Sequence, residues 1–236
     1  AFHIGQQLGM VDHRNQVFDC RQLQGMSDEE LERIIGSVRI FSRVIPEHKH
    51  RILTILKKHH IAAMTGDGVN DVPALTNAHV GLAMGSGASI AKDAGDIILL
   101  DDNFRSIIDA VHEGRTIYAN IKRMVAYLLS TNAGEVLVAL TALITGIPVP
   151  LAAVQILWVN LVTDTAMVIP LGLEPGERHN MNRPPAKPDA PLFSRFMISR
   201  IALVAVTMAV LTLTLYRSEL AESGAAYARA IAFHAL

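Results

Sequence analysis

Thr65-Gly66-Asp67-Gly68-Val69-Asn70-Asp71 is the stretch on which the reading of this chain turns. It follows an apolar run, Ile61-Ala62-Ala63-Met64, and precedes a segment of helical character. Two carboxylates and a carboxamide crowd a loop softened by two glycines. A loop of that kind at the carboxyl end of a buried strand suits a Mg²⁺ ion and a phosphate. Asp67 is the expected ligand, and Asp71, four residues on, supports the Mg²⁺ at one remove. Asn70 can donate to a phosphoryl oxygen, while Thr65 and the amides around Gly66 and Gly68 can cradle it. The same residues also suit a helix cap, since Asn70 or Asp71 would serve there.

Outward from this loop, strands and helices alternate with short connections. Residues 1–19 predict a short helix (Phe2, Ile4, Leu8), a break at Gly9 and a strand-like piece around Val17-Phe18. Ser27 and Glu30 have the spacing of a capping box, so a helix starts there and ends near Gly36, with Leu31, Ile34 and Ile35 inward. Residues 38–44 alternate as a strand. Pro46-Glu47 opens a basic amphipathic helix with Ile52, Leu53, Ile55 and Leu56 on its buried side. Strand 61–64, a helix over 71–78, strand 80–84, helix 88–94 and strand 96–100 follow. This alternation predicts a doubly wound parallel sheet over the first hundred residues. Lys49, at the start of the basic helix, can present a compact charge to a phosphate. It reads equally well as one solvated lysine beside Arg51, Lys57 and Lys58. His48, His50, His59 and His60 have no standard metal spacing, and Gly85-Ser86-Gly87 reads as a strand-to-helix turn.

The chain has 236 residues, 50% of them hydrophobic, and a formal net charge of -1, which leaves room for a soluble domain and a membrane region and offers nothing to nucleic acid. A single cysteine, Cys20, excludes an internal disulfide framework and a cysteine-based zinc site. The first residues carry no secretory signal, and the missing initiator Met is what a piece of a longer protein would have.

After Asn103 the pattern becomes helical. Ile107, Ile108, Val111, Ile117, Ile121 and Met124 recur on one face. Apolar runs over 124–151 and 152–173 are interrupted by Glu135 and Asp164, with a tight turn at Gly146-Ile147-Pro148-Val149-Pro150 between them. A third run spans about 196–216 and a fourth starts near 225. The first three are long enough for a hydrocarbon core of about 30 Å. Arg115, Lys122 and Arg123 precede the first span, and Arg178, Arg183, Lys187, Arg195 and Arg200 fall between the second and third. The positive-inside rule therefore puts the α/β part and the loop 174–195 on the cytoplasmic side. Pro184, Pro185, Pro188 and Pro191 predict an extended, semi-rigid connector there.

Glu135 and Asp164 are the notable residues of the spans, because an unpaired charge at mid-bilayer costs about 2.5–3.5 kcal/mol on insertion scales. Asn132 and Glu135 share a helix face, as do Asn160, Thr163 and Asp164. Two antiparallel helices with these faces together would gather five oxygen-bearing side chains, a donor set for a hard cation. Trp158 reads as packing or an interface anchor, and Met124, Met167, Met197 and Met208 as apolar filler.

Several strings carry a resemblance. Arg43-Val44 with Pro46-Glu47-His48-Lys49, then Met64 through Asp71 with Pro73-Ala74-Leu75, resemble the P-type cation-transporting ATPases. Ala83-Met84-Gly85-Ser86-Gly87 and Asp101-Asp102-Asn103-Phe104 extend the likeness over nearly the whole chain. The resemblance implies a haloacid dehalogenase-like fold and an aspartate phosphorylated by ATP and later hydrolysed. It implies that Lys49 contacts the phosphoryl group, that Asp67 binds Mg²⁺ and that Asn70 and Asp71 complete the pocket. No Asp-Lys-Thr-Gly-Thr string and no Thr-Gly-Glu loop occurs here. The chain is thus expected to be the C-terminal part of a pump, inactive in ATP hydrolysis without the N-terminal part of the same protein. Residues 1–103 would be part of the cytoplasmic phosphorylation domain, and 104–236 the stalk and transmembrane helices of a multi-pass protein of the plasma membrane. Asn132-Ala133-Gly134-Glu135 and Trp158 through Asp164 are similar to the fifth and sixth transmembrane helices of sarcoplasmic-reticulum-type calcium pumps, which implies Asn132, Glu135, Asn160, Thr163 and Asp164 as ligands of the transported cation. The continuation Thr165-Ala166-Met167-Val168-Ile169-Pro170 departs from that pattern. Ca²⁺ suits two carboxylates best, with Mn²⁺, Na⁺/K⁺ or protons as alternatives. A membrane-anchored phosphatase of the same soluble fold, or a regulatory fragment with a vestigial domain, are the competing readings.

Overall fold

The computed structural model describes residues 1–177, 179–186 and 190–235. The expectations placed on Arg178, Lys187 and Pro188 lie outside the described residues. The chain forms two compact units, one built chiefly on Ala1–Ala110 and the other on Val111–Pro184 and the residues from 190 onward.

The first unit runs from α1 (Phe2–Gln7) through Gly9, whose φ of +67° turns the chain, to β1 (Val17–Asp19) and α2 (Asp28–Ile35). The capping box of α2 is formed: Ser27 N donates to Glu30 Oε2 at 2.8 Å and Glu30 N to Ser27 Oγ at 3.2 Å. β2 (Ile40–Ser42) leads to α3 (Pro46–His59), whose Pro46 occupies a first-turn position where no N–H is needed. Leu31 and Ile35 of α2 and Ile52 and Ile55 of α3 bury a common core with Cys20 and Leu23. Arg51 fastens the two helices, donating to Asp28 and to the carbonyls of Leu23 and Met26. Then come β3 (Ala63–Gly66), α4 (Val72–Asn77), β4 (Val80–Met84), α5 (Ser89–Ala94) and β5 (Ile97–Leu99).

All strand pairs are parallel, as the alternation requires, but the sheet is in two pieces. β1 pairs with β2, and β3, β4 and β5 pair in sequence order. Among the described residues β2 and β3 fall in separate sheets. An apolar groove of about 230 Å³ opens where they would meet, lined by Phe41, Val44, Ala63, Met64 and the α3 residues Lys49, Ile52, Leu53 and Leu56. The edges of β2 and β3 on this groove keep their ladder groups unpaired with each other, a template for further strand pairing.

The second unit continues α6 (Arg105–Thr145), a single helix whose first residues belong to the first unit. The next span is built in three parts: α7 (Ala153–Trp158), a π-helical segment over Val159–Thr163, and α8 (Asp164–Gly172), which contains Pro170. A long α9 (Arg195–Glu222) and α10 (Ala225–Ala235) complete it. α6, the composite span and α9 are long and apolar enough to cross a membrane. α9 and α10 pack through small residues, with Ala205, Ala209, Ala228 and Ala232 all buried at four-residue spacing, the usual device for close helix approach in lipid.

The connector after α8 begins with a stretch held against α6. Residues 174–177 and 179–183 fold back onto α6 through backbone acceptors. Asn120 donates to the carbonyls of Gly172 and Glu174 at 3.0 and 2.8 Å, and Arg115 to those of Asn180 and Arg183, both at 2.7 Å. Arg123 pairs with Glu174 and Glu177, and Gly176 lies so close that a Cβ there would stand 2.3 Å from Thr116 Oγ1. Buried Thr116 and Asn120 lie under this contact, and Pro184, Pro185 and Pro191 come after it in the chain.

The loop after β3 depends on Gly66, where a Cβ would come within 2.5 Å of Asp71 Cβ. Gly66→Ala is expected to destabilise the chain by about 2 kcal/mol, the scale of overpacking. Gly25→Ala, with nothing within 4 Å of its would-be Cβ, is expected to stay within about 0.5 kcal/mol. Urea denaturation followed by circular dichroism of the two variants side by side measures the difference.

Candidate functional site

Two groups of chemistry-bearing residues emerge, one in each unit. In the first, β3 ends at Gly66 and delivers the acidic loop to the edge of the sheet, where a 3₁₀ turn over Val69–Asp71 leads into α4. Asp71 is 6% exposed and its Oδ1 accepts from Lys49 Nζ of α3. Gly66 permits this approach, since only a residue without Cβ leaves Asp71 its place. Asp67 and Asn70 are exposed, and Thr65 and Gly68 are half-buried. The Asp67 carbonyl accepts from Ala88 N at 2.8 Å, which ties the loop to the turn after β4. Gly87 packs there against the Asp67 backbone. That turn is held in its own right: Ser86 N donates to Asp102 Oδ1 at 3.1 Å, and Ser86 keeps the Asp102 carboxyl below the ordinary carboxylate range. Asp101, held low chiefly by the Ser106 hydroxyl at 2.6 Å, anchors the start of α6.

Lys49 and Asp71 are thus brought into contact, while Asp67 and Asn70 stand at the rim with their polar ends toward solvent. Sequence reasoning cast Asp67 as the primary carboxylate and Asp71 as its support. The geometry separates their work: Asp71 holds the lysine, and Asp67 is the carboxylate available to an incoming group.

In the second unit a cavity of about 270 Å³ lies among α6, the π-helical segment, α8, α9 and α10. Glu135 and Asp164 both line it, 6% and 3% exposed. Asn160 Nδ2 donates to Glu135 Oε2 at 2.9 Å, and Glu135 Oε1 is buried without a hydrogen-bond partner among the described residues. Asp164 accepts from the Tyr127 hydroxyl at 3.1 Å and has the Thr131 hydroxyl 3.4 Å from its other oxygen. Thr163 lines the cavity, together with Trp158, Met208, Phe233 and His234. The π-helical turn spans Asn160 and Thr163 and ends at Asp164, so the backbone irregularity falls on the polar face itself. Such bulges shift the register of a helix by one residue and recur at functional sites. Gly134 lets α6 approach α9, with Met208 Cβ at 3.4 Å from where its Cβ would be.

Three of the five expected oxygen side chains, Glu135, Thr163 and Asp164, therefore line this cavity, and Asn160 joins them through its bond to Glu135. Asn132 does not: its amide donates to the Leu128 carbonyl of its own helix at 2.7 Å and the residue is exposed. Two participants escaped the sequence reading, Tyr127 and Thr131. Their one signal was their spacing of eight and four residues, respectively, before Glu135, which puts all three on one side of α6. Among the described residues no three or more His, Cys, Asp or Glu side chains gather to hold a metal ion, so any cation here would draw on carbonyl, amide and hydroxyl oxygens beside the two carboxylates.

A parallel α/β unit joined in one chain to membrane-length helices with buried carboxylates between them defines a membrane protein of mixed architecture. Comparison with known proteins makes the class specific. Residues 148–236 match the family described as "Cation transporting ATPase, C-terminus". The chain is 40% identical over 239 residues to a calcium-transporting ATPase of Bacillus subtilis (strain 168), covering 99% of this chain and 27% of that protein. It is 44% identical over 196 residues to calcium-transporting ATPase 1 of Bacillus cereus (strain ATCC 10987 / NRS 248), covering 82% and 22%. The chain belongs to the P-type cation-transporting ATPases and corresponds to their C-terminal region. It spans about a quarter of the length of these relatives. Among solved structures, the catalytic domain of the CPx-ATPase CopB-B is 32% identical over 36% of each chain, with a TM-score of 0.29 that carries no weight for the fold.

Lys49→Met should leave the buried Asp71 carboxylate unpaired and cost about 2 kcal/mol, below the full range for buried pairs because Lys49 is itself 34% exposed. Lys49→Met combined with Asp71→Asn should recover most of that loss. Denaturation midpoints of the single and double variants test the pairing.

Proposed function

We propose that this region serves ATP-driven transport of a cation across a membrane through an aspartyl-phosphate intermediate, with Ca²⁺ as the transported ion. The observation that carries the reading is the pair Glu135 and Asp164, buried on one cavity between membrane-length helices, with Glu135 Oε1 unpartnered. Buried carboxylates in apolar spans are costly and are kept where a cation or partner is to meet them. The oxygens of Glu135, Asn160, Thr163 and Asp164 make a hard donor set suited to Ca²⁺, and Asn132 joins it in the proposed site by rotation of its exposed side chain. The calcium-transporting names of the relatives favour the same ion.

Residues 1–103 are proposed as the C-terminal part of a haloacid dehalogenase-like phosphorylation domain on the cytoplasmic side. Residues 104–236 are proposed as the stalk and transmembrane helices of a plasma-membrane protein. The groove between β2 and β3, with Lys49 on its wall, is consistent with a sheet completed by the N-terminal part of the same protein, which would bring the phosphorylated aspartate and the ATP site. Asp67 would hold Mg²⁺, and Asp71 supports the site at one remove by keeping Lys49 at the loop. Bound there, Mg²⁺ would neutralise charge on the transferring phosphoryl group. The Lys49 ammonium faces the same group as a point charge, Asn70 donates to its oxygens, and Thr65 with the amides around Gly66 and Gly68 limits its movement. The unbroken α6 is the covalent route from this domain to Glu135. A membrane-anchored phosphatase would have no use for Glu135 and Asp164.

In the full-length protein, Glu135→Gln and Asp164→Asn should each raise the Ca²⁺ concentration needed for phosphorylation by ATP at least about tenfold, the loss expected of a charged ligand. Asp67→Asn should abolish Mg²⁺-dependent phosphorylation while ⁴⁵Ca²⁺ binding persists. Phosphorylation assays repeated with Mn²⁺, Na⁺ and K⁺ identify the ion, and unaltered ion dependence in both carboxylate variants would refute the site.

A further inference from the structure

The two carboxylates of the cavity are held in different ways. Glu135 is engaged through one oxygen, by Asn160 of the neighbouring span, and its Oε1 is left without a partner. Asp164 is engaged from α6 instead. The Tyr127 hydroxyl donates to Oδ1 at 3.1 Å, and the Thr131 hydroxyl, one helical turn on, lies 3.4 Å from Oδ2. The two hydroxyls are unequal donors. Thr131 has a single proton and a nearer acceptor in the Leu128 carbonyl at 3.1 Å, whereas the Tyr127 hydroxyl carries the full bond to the carboxylate. Asp164 is 3% exposed, so bulk solvent compensates little for that bond when it is broken.

We propose that Tyr127 is a positioning residue that occupies Asp164 while the cation is away and so sets the affinity of the site. This rests on the reading of Glu135 and Asp164 as the carboxylates that meet the transported cation. A cation entering the cavity finds Glu135 Oε1 with nothing to displace. At Asp164 it takes the place of a phenolic hydrogen bond made to a nearly buried carboxylate, and the energy of that bond is subtracted from binding. The hydroxyl keeps the empty carboxylate in one orientation, and the site is weaker for it. Thr131 adds a smaller contribution of the same sign. The arrangement also assigns an order: Glu135 engages first and Asp164 closes on the ion as its bond to α6 is released.

The test is the Ca²⁺ dependence of phosphorylation by ATP in the full-length protein. Tyr127→Phe keeps the ring and removes the hydroxyl. It should lower the half-saturating Ca²⁺ concentration about tenfold or more, as loss of a hydrogen bond to a charged acceptor predicts, with the change in half-saturation and not in the level reached at saturating Ca²⁺. Thr131→Val should lower it by about twofold, being the weaker donor, and Thr131→Ser should restore it. An unchanged half-saturation in Tyr127→Phe overturns the proposal. A raised one also overturns it, because it would make the hydroxyl a ligand of the ion. Should Tyr127→Phe fail to fold, an unchanged or raised value in Thr131→Val overturns it. Asp164→Asn in the same series separates the two levels of the argument: if it keeps the wild-type Ca²⁺ dependence the cation site itself is wrong, whereas its loss beside an unaltered Tyr127→Phe refutes the role of Tyr127 alone.

Discussion

Charge buried where lipid surrounds the helices is the constraint that orders this structure. Glu135 and Asp164 sit in spans whose other residues are overwhelmingly apolar, and each is almost wholly withdrawn from solvent. Their cost is met locally: Asn160 reaches across to Glu135, and Tyr127 reaches across to Asp164. These cross-helix bonds need the two spans close together and in fixed register. Gly134 provides closeness to α9 on one side of α6, and the π-helical turn ending at Asp164 adjusts register in the composite span. One carboxylate oxygen, Glu135 Oε1, remains unmatched among the described residues, and the proposed cation would meet that unmet polarity.

The first unit follows a parallel logic with a different outcome. Asp71 is buried against Lys49, and Gly66 exists to let that carboxylate in. The pair does not exhaust the loop, because Asp67 stays exposed at the end of β3 with its backbone fixed by Ala88 and Gly87. A loop with a fixed backbone and an exposed carboxylate is what the proposed phosphate and Mg²⁺ site requires. The groove between β2 and β3 gives the same impression on a larger scale, of a parallel sheet interrupted where an apolar surface and two strand edges remain.

Much of this was legible from residue order alone, and the exceptions share a cause. The capping box at Ser27 and Glu30, the positive-φ turn at Gly9 and the membrane-length helices are local features, written in spacings of three and four residues or in unbroken apolar runs. The acidic loop was legible because its seven residues carry a specific pattern. The split of the sheet was not, because strand pairing is decided between residues far apart in sequence. The fastening of the segment after α8 onto α6 was not legible for the same reason: Arg115, Asn120 and Arg123 lie more than fifty residues from the carbonyls and carboxylates they hold. Asn132 stands one turn from Glu135, yet three residues fall about 60° short of a full turn, enough to leave its amide on its own helix. Tyr127 and Thr131 were overlooked because an aromatic and a threonine in an apolar span read as packing until the facing helix is in place.

The central claim is that a hard cation is held between α6 and the π-bulged span. An experimental structure of the full-length protein at saturating Ca²⁺, with anomalous scattering to mark the ion, tests it most directly. The account predicts an anomalous peak in the cavity within about 2.3–2.6 Å of carboxylate oxygens of both Glu135 and Asp164. Calcium bound elsewhere between the helices, with Asp164 still carrying the Tyr127 hydroxyl, would contradict it.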